Sequence, residues 1–238
     1  MGSKNRYAKF LLPIILKSAK KGQCYVEPFA GGMNMIDKVD MTCRVAHDTN
    51  TYLITMFEQL VYHDWKPPIS VTEKEYNELK QLALESSVTD PKIIALIGYV
   101  GFNSYGGKFF RGYRRDKEGK RDYWKEHYNN IMKQIPSLMG TLFFNLSYDE
   151  LEIPEKSIIY CDPPYQGTEK YKKNNIYVGF DYDKFWQWVR DKKSQGNKIY
   201  VSEYTAPKDF KVVWQKEVSN NLTTTSTDKK AVEKLFTL

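Results

Sequence analysis

Apolar positions along the chain change their period several times, and those changes mark out its elements. Tyr7, Phe10, Leu11, Ile14 and Ile15 recur at helical spacing, with Ser18 closing the stripe, which predicts an amphipathic helix entering the core. After Gly22 the period shortens. Cys24, Tyr25 and Val26 form a β-rich run stopped by Glu27 and Pro28, and Phe29, Ala30, Gly31 and Gly32 then predict a tight turn into another helix. Residues 44–48 read as a second strand ending in Asp48, after which Thr49 or Asn50 can cap a helix whose apolar face is Leu53, Ile54, Phe57, Leu60 and Val61. Strand, glycine turn, helix, strand with a terminal acid, helix is the opening of a doubly wound α/β sheet.

From about His63 the pattern changes character. Helical pieces are predicted over 73–84 and 91–99, then a stretch rich in Gly, Tyr and Arg, then a helix over about 124–133. Strand patterns resume at 142–146 and 157–161, a helix with Phe185, Trp188 and Val189 on one face spans about 183–193, and further strands cover 198–203 and 212–218. Residues 1–62 and 141–238 thus read as one sheet domain, and 63–140 as a mainly helical insertion. At roughly 150 residues per domain, 238 residues give about one and a half domains, which fits a core with a large satellite.

Composition narrows the class. Hydrophobic residues at 41% and charged residues at 27% are those of a globular protein, which excludes a mainly disordered, collagenous or disulfide-scaffold chain. The longest apolar stretch, 10–16, is broken by Pro13 and cannot span a bilayer, and the amino terminus lacks a hydrophobic leader, so a cytoplasmic protein with no membrane partner is expected. Cys24, Cys43 and Cys161 are odd in number and widely spaced, which predicts reduced thiols, with Cys161 a buried structural one. His47, His63 and His127 show no metal-ligand spacing and read as packing or surface residues. Lys and Arg total 36 against 29 Asp and Glu, and this net +7 leans toward polyanions.

Asp162-Pro163-Pro164-Tyr165 directly follows a buried strand, at the end where open α/β sheets place their ligands. The two prolines fix the backbone after the acid, so a carboxylate, a carbonyl and an aromatic face meet at one rigid corner. Such a corner suits a planar amino-heterocycle, whose amine hydrogens reach the two oxygens while the ring stacks on tyrosine. Asp48 ends its strand 17 residues after Gly31, near the offset at which an acid meets ribose hydroxyls in nucleotide-binding folds. The full G-x-G-x-x-G pyrophosphate fingerprint is absent, since Gly32 is followed by Met33, Asn34, Met35 and Ile36, which favours a nucleoside without phosphates, such as S-adenosylmethionine.

With these motifs in this order, the sequence resembles the DNA adenine-N6 methyltransferases of the Dam type. Gly2-Ser3-Lys4 looks like their amino-terminal Gly-x-Lys element, Phe29-Ala30-Gly31-Gly32 like the methionine-binding motif, and His47-Asp48-Thr49-Asn50 like the ribose motif. A long insertion before Asp-Pro-Pro-Tyr matches the alpha arrangement, and Ser202-Glu203-Tyr204 resembles the strand end after the catalytic motif. The resemblance implies a Rossmann-like S-adenosylmethionine-dependent methyltransferase sheet with an inserted target-recognition domain. It implies that Lys4, Phe29, Ala30, Gly31, Gly32, Asp48, Asn50 and Asp162 bind the cofactor. Asp162, Pro163, Pro164 and Tyr165 would form the catalytic corner for an adenine flipped out of duplex DNA, with no metal required and a monomer or weak dimer expected, in a bacterial or phage-infected cell. A cytosine-N4 methyltransferase could hold its amine at the same corner, and the alternative from a different class is a DNA-binding module that keeps the fold without catalysis.

The insertion localises the charge. Lys108, Arg111, Arg114, Arg115, Lys117, Lys120 and Arg121 against Asp116 and Glu118 concentrate +5 in fourteen residues, interleaved with Tyr105, Phe109, Phe110 and Tyr113. These seven cations and Tyr113 are the expected contacts to phosphates or base edges in double-stranded DNA. GATC-specific members carry Arg-Tyr-Asn where this chain has Gly101-Phe102-Asn103-Ser104-Tyr105, so GATC recognition is not implied.

Overall fold

The computed structural model describes residues 4–85, 87–105, 108–116, 118–166, 172–173, 176–177, 179–218 and 231–238. The chain runs α1 (Asn5–Ile15), β1 (Cys24–Glu27), β2 (Cys43–His47), α2 (Thr51–Tyr62), α3 (Glu73–Leu82), α4 (Pro91–Phe102), α5 (Tyr123–Leu138), β3 (Thr141–Phe144) and β4 (Ile158–Cys161). It continues through β5 (Lys172–Lys173), β6 (Ile176–Tyr177), α6 (Tyr182–Ser194), β7 (Lys198–Glu203), β8 (Lys211–Val218) and β9 (Ala231–Thr237). Seven strands form one sheet in the order β3-β2-β1-β4-β7-β9-β8, and β5 and β6 form a separate antiparallel pair. Strands β3, β2, β1, β4 and β7 are parallel, whereas β9 lies antiparallel to both β7 and β8.

Alternation in the central strands explains why both faces of the sheet are covered. In β4 Ile158 and Tyr160 join one apolar cluster while Ile159 and Cys161 join the other, and in β1 Tyr25 and Val26 divide the same way. The first face carries α1, α2, α4 and α5 through Leu11, Leu53, Phe57, Val100 and Leu138; the second carries α6 through Phe185, Trp188 and Val189, with Tyr148. The 63–140 segment packs into the first cluster, because Tyr76, Ile97, Tyr99, Phe110 and Trp124 bury against the same group as Leu11 and Tyr25. Among the described residues no helix is long and apolar enough to cross a membrane.

Several sequence expectations are corrected. The helix expected after the glycine turn is only a 3₁₀ turn at Ile36–Lys38. Met33 adopts a left-handed φ of 57°, and the Gln134 side-chain amide of α5 lies 3.1 Å from the carbonyls of Gly32 and Met33, so the Gly32 acceptor serves a partner outside the segment and that of Met33 is shared with the Asp37 N–H at 3.3 Å. Cys24 and Cys43 are a disulfide rather than free thiols, since parallel register puts them directly opposite, Cα to Cα 4.6 Å, whereas Cys161 is free and buried. Helix α4 runs past Tyr99 to Phe102 and α5 past Lys133 to Leu138, with Pro136 inside its last turn. Strand β9 has no counterpart in the sequence expectations.

Candidate active site

Strands β1, β2 and β3 extend to one side of the sheet and β4 and β7 to the other, so the strand order reverses between β1 and β4. Ligands of open α/β sheets sit in the crevice at the carboxyl ends beside such a reversal. Here the β1 end leads into Glu27 and the glycine turn, the β2 end into Asp48, the β4 end into Asp162 and the β7 end into Glu203.

Gly31 takes a φ of 48°, a conformation that L side chains adopt with strain, and this aims its N–H at the next strand end. Asp48 Oδ2 accepts that N–H at 2.9 Å, and Oδ1 accepts the Asn50 N–H at 2.9 Å. Burial raises the Asp48 pKa, and the two backbone N–H groups oppose that rise by favouring the carboxylate. Each oxygen keeps a second lone pair, so the carboxylate can still receive hydroxyl donors. Asn50 caps α2, its side chain accepting from Leu53 N–H at 3.3 Å. Ala30 is buried and donates its N–H to the His47 carbonyl, and Phe29 packs against Tyr148, Phe180 and Phe185 on the second face. A Cβ on Gly32 would come within 2.6 Å of the Phe102 ring, so the end of α4 presses directly on this turn.

The corner after β4 is more strongly charged. Lys4 Nζ lies 2.8 Å from Asp162 Oδ1 and 3.4 Å from Glu233 Oε1, and it stands over the Tyr165 ring at 4.7 Å from the centroid. Tyr165 Oη donates to Glu233 Oε1, and the Tyr165 ring meets Tyr204 edge-on at 4.7 Å. Lys4 and Glu233 are only 9% and 5% exposed, so these charges interact with little water between them. Burial acts to lower the Lys4 pKa, but Asp162 and Glu233 outweigh it and the net shift is upward. The Glu233 carboxyl is raised by burial against the opposing pull of Lys4 and the Tyr165 hydroxyl. The Pro164 carbonyl accepts from Tyr182 Oη at 2.9 Å, while no group among the described residues donates to that of Pro163.

Two further acids border the corner. Glu203 accepts the N–H groups of Gln166 at 3.0 Å and Tyr204 at 2.7 Å, and burial pushes its pKa up to about 7. Glu27 is buried, accepts from Tyr25 Oη at 2.9 Å, and has its pKa raised well above the carboxylate range by burial. Glu203 was visible in Ser202-Glu203-Tyr204. Glu233 was not, and its sequence signal is a charged residue in phase with buried Leu235 on one side of a strand.

The basic segment folds back on the protein. Arg115 pairs with Glu73, Lys120 with Glu118, and Arg121 with Glu126 through two nitrogens. Arg114 donates to Asn103 at 3.1 Å and lies over Tyr123, whereas Arg111 is exposed and makes no ion pair among the described residues. Tyr113 packs against Tyr76 and Trp124 and donates to the Val71 carbonyl, Phe110 is buried, and Tyr105 is 66% exposed. Lys117, Gly2 and Ser3 lie outside the described residues. Among the described residues no group of three His, Cys, Asp or Glu could hold a metal ion.

This arrangement sets an acid-terminated strand turn beside a carboxylate, carbonyl and aromatic corner. A family model for D12 class N6 adenine-specific DNA methyltransferases matches residues 1–91 and 92–232, nearly the whole chain, which therefore belongs to that family of DNA-modifying enzymes.

Proposed function

We propose that this enzyme takes the methyl group of S-adenosylmethionine and places it on N6 of an adenine turned out of duplex DNA. The cluster of Lys4, Asp162, Tyr165 and Glu233, beside the Asp48 turn at the strand-order reversal, is the observation that carries this reading. Asp48 has the spare lone pairs that ribose hydroxyls need, and Phe29, Ala30, Gly31, Gly32 and Asn50 line the same strand ends, so these residues fit the cofactor. When bound, it supplies an electrophilic sulfonium methyl.

The remaining work falls to the chain. Unstacking the adenine costs a few kcal/mol, which the Tyr165 face offsets by stacking on the extruded ring. Lys4 engages Asp162 Oδ1, which leaves Oδ2 for one hydrogen of the amine, and the Pro163 carbonyl takes the other. Those two bonds favour a pyramidal nitrogen whose lone pair is released from the ring. Held so, the nitrogen would be aligned to take the methyl, and the sulfonium sulfur would leave with the bonding pair. The cationic nitrogen then sheds a proton to the Asp162 carboxylate. Alignment and the negative charge of Asp162 supply the rate. The inserted 63–140 segment, through Lys108, Arg111, Arg115, Lys120 and Arg121, is the surface assigned to DNA.

Incubation with labelled S-adenosylmethionine and mixed-sequence duplex DNA, followed by nucleoside mass spectrometry, tests this. N6-methyladenine should form, and Asp162→Asn should abolish it with DNA binding retained. Retained turnover in Asp162→Asn would remove the residue from the chemistry.

A further inference from the structure

Strand β9 brings a second carboxylate to the catalytic corner, and charge balance gives it a role. Asp162 faces an amine that becomes positive during methyl transfer, yet its Oδ1 already carries an ammonium at 2.8 Å. An Asp162–Lys4 pair by itself is neutral, so it would offer the developing cation little net attraction, and the nearby ammonium would repel it. Glu233 changes that sum. Its Oε1 lies 3.4 Å from the same ammonium, so one lysine is shared between two carboxylates. The same oxygen accepts from Tyr165 Oη, which ties the stacking ring to the strand that supplies the counter-charge.

We propose that Glu233 is a positioning residue for methyl transfer. It neutralises Lys4, so that Asp162 keeps its negative charge for the amine nitrogen, and it anchors the hydroxyl of Tyr165. The near-complete burial of both Lys4 and Glu233 makes this compensation effective, since water screens neither charge. The inference rests on the assignment of Asp162 to the amine given above.

Glu233→Gln keeps an acceptor for Tyr165 Oη in nearly the same volume and removes only the charge. Its kcat should fall on the order of 10- to 100-fold, with KM for DNA and for S-adenosylmethionine changing far less. Glu233→Asp should restore part of the lost kcat. The decisive arm is a Lys4→Met background, where no ammonium needs compensating. There the Asp162 charge faces the amine unopposed, so the added Glu233→Gln should leave kcat within about threefold of the single variant, because no ammonium remains for Glu233 to offset. Far-UV circular dichroism and DNA binding confirm that each variant is folded. An unchanged kcat in Glu233→Gln overturns the proposal, as does an equal loss in both backgrounds, which would mean that Glu233 acts independently of Lys4. Turnover retained in Asp162→Asn would instead strike the underlying assignment, and the role of Glu233 would fall with it.

Discussion

His47 is completely buried, and neither of its ring nitrogens has a hydrogen-bond partner among the described residues. Burial lowers its pKa to about 4, and that of His127 falls to about 4 for the same reason. A base whose pKa is depressed on folding stabilises the native state above the unfolded value near 6.5, and this contribution is lost as pH falls toward 4, because the unfolded chain takes up a proton that the folded chain refuses. For one such histidine the loss at pH 5 is at most about 2 kcal/mol. His47→Leu, which keeps an apolar shape, should therefore lose less stability than the parent between pH 7.5 and pH 5, measured by urea unfolding. Parallel profiles would place the acid sensitivity elsewhere. Sequence placed His47 among packing or surface residues, and the strand-end positions of Asp162 and Asp48 were legible because each sits in a short motif whose backbone chemistry is local. Glu233 was not, since only the return of β9 between β7 and β8 brings it to Lys4, more than two hundred positions earlier.

At the level of elements, α2 and α4 pack backbone close to backbone at Gly98. A Cβ on Gly98 would lie 2.1 Å from the Tyr52 carbonyl oxygen and 2.8 Å from its carbon, and backbone at that distance cannot rotate away. In an ordinary helix interior Gly→Ala gains about 1 kcal/mol from propensity. Overpacking costs about 1–3 kcal/mol, and a backbone neighbour puts this site at the upper end, so the steric term wins. Gly98→Ala should lower the urea midpoint with an unchanged m-value; a midpoint at or above that of the parent would show that the two helices are not in contact there. Sequence reading ran through Gly98 but stopped α4 at Tyr99, short of Gly101, since isolated glycines weaken a helical pattern whatever they pack against. The reverse error arose after β1, where Phe29-Ala30-Gly31-Gly32 reads as a helix entry. Capture of its carbonyls by Gln134, some hundred residues away, is a tertiary effect that local propensity does not contain. The Cys24–Cys43 bridge likewise depends on the register of two parallel strands rather than on cysteine spacing.

For the whole molecule, the question is how a net charge of +7 becomes a surface for DNA when most of the described cations of the basic cluster are already engaged. Exposed ion pairs such as Arg115–Glu73 and Lys120–Glu118 are worth little and can be exchanged for phosphate. Arg114 is different. It is half-buried, hydrogen-bonded to Asn103 at the end of α4 and stacked on Tyr123 at the start of α5, so it ties the basic loop to the two helices that flank it. Two arginines three positions apart should therefore give opposite signatures. Arg111→Ala, if Arg111 neutralises one phosphate, should lower the slope of log K against log salt by about 0.9 and leave thermal stability unchanged. Arg114→Ala should lower the melting temperature, with a smaller change in slope, because what it loses is a contact within the protein. DNA binding titrated over a salt series, alongside thermal unfolding of both variants, separates the two roles. Equal slopes in Arg111→Ala and the parent would exclude Arg111 from phosphate contact and move the DNA surface to the exchangeable pairs beside it.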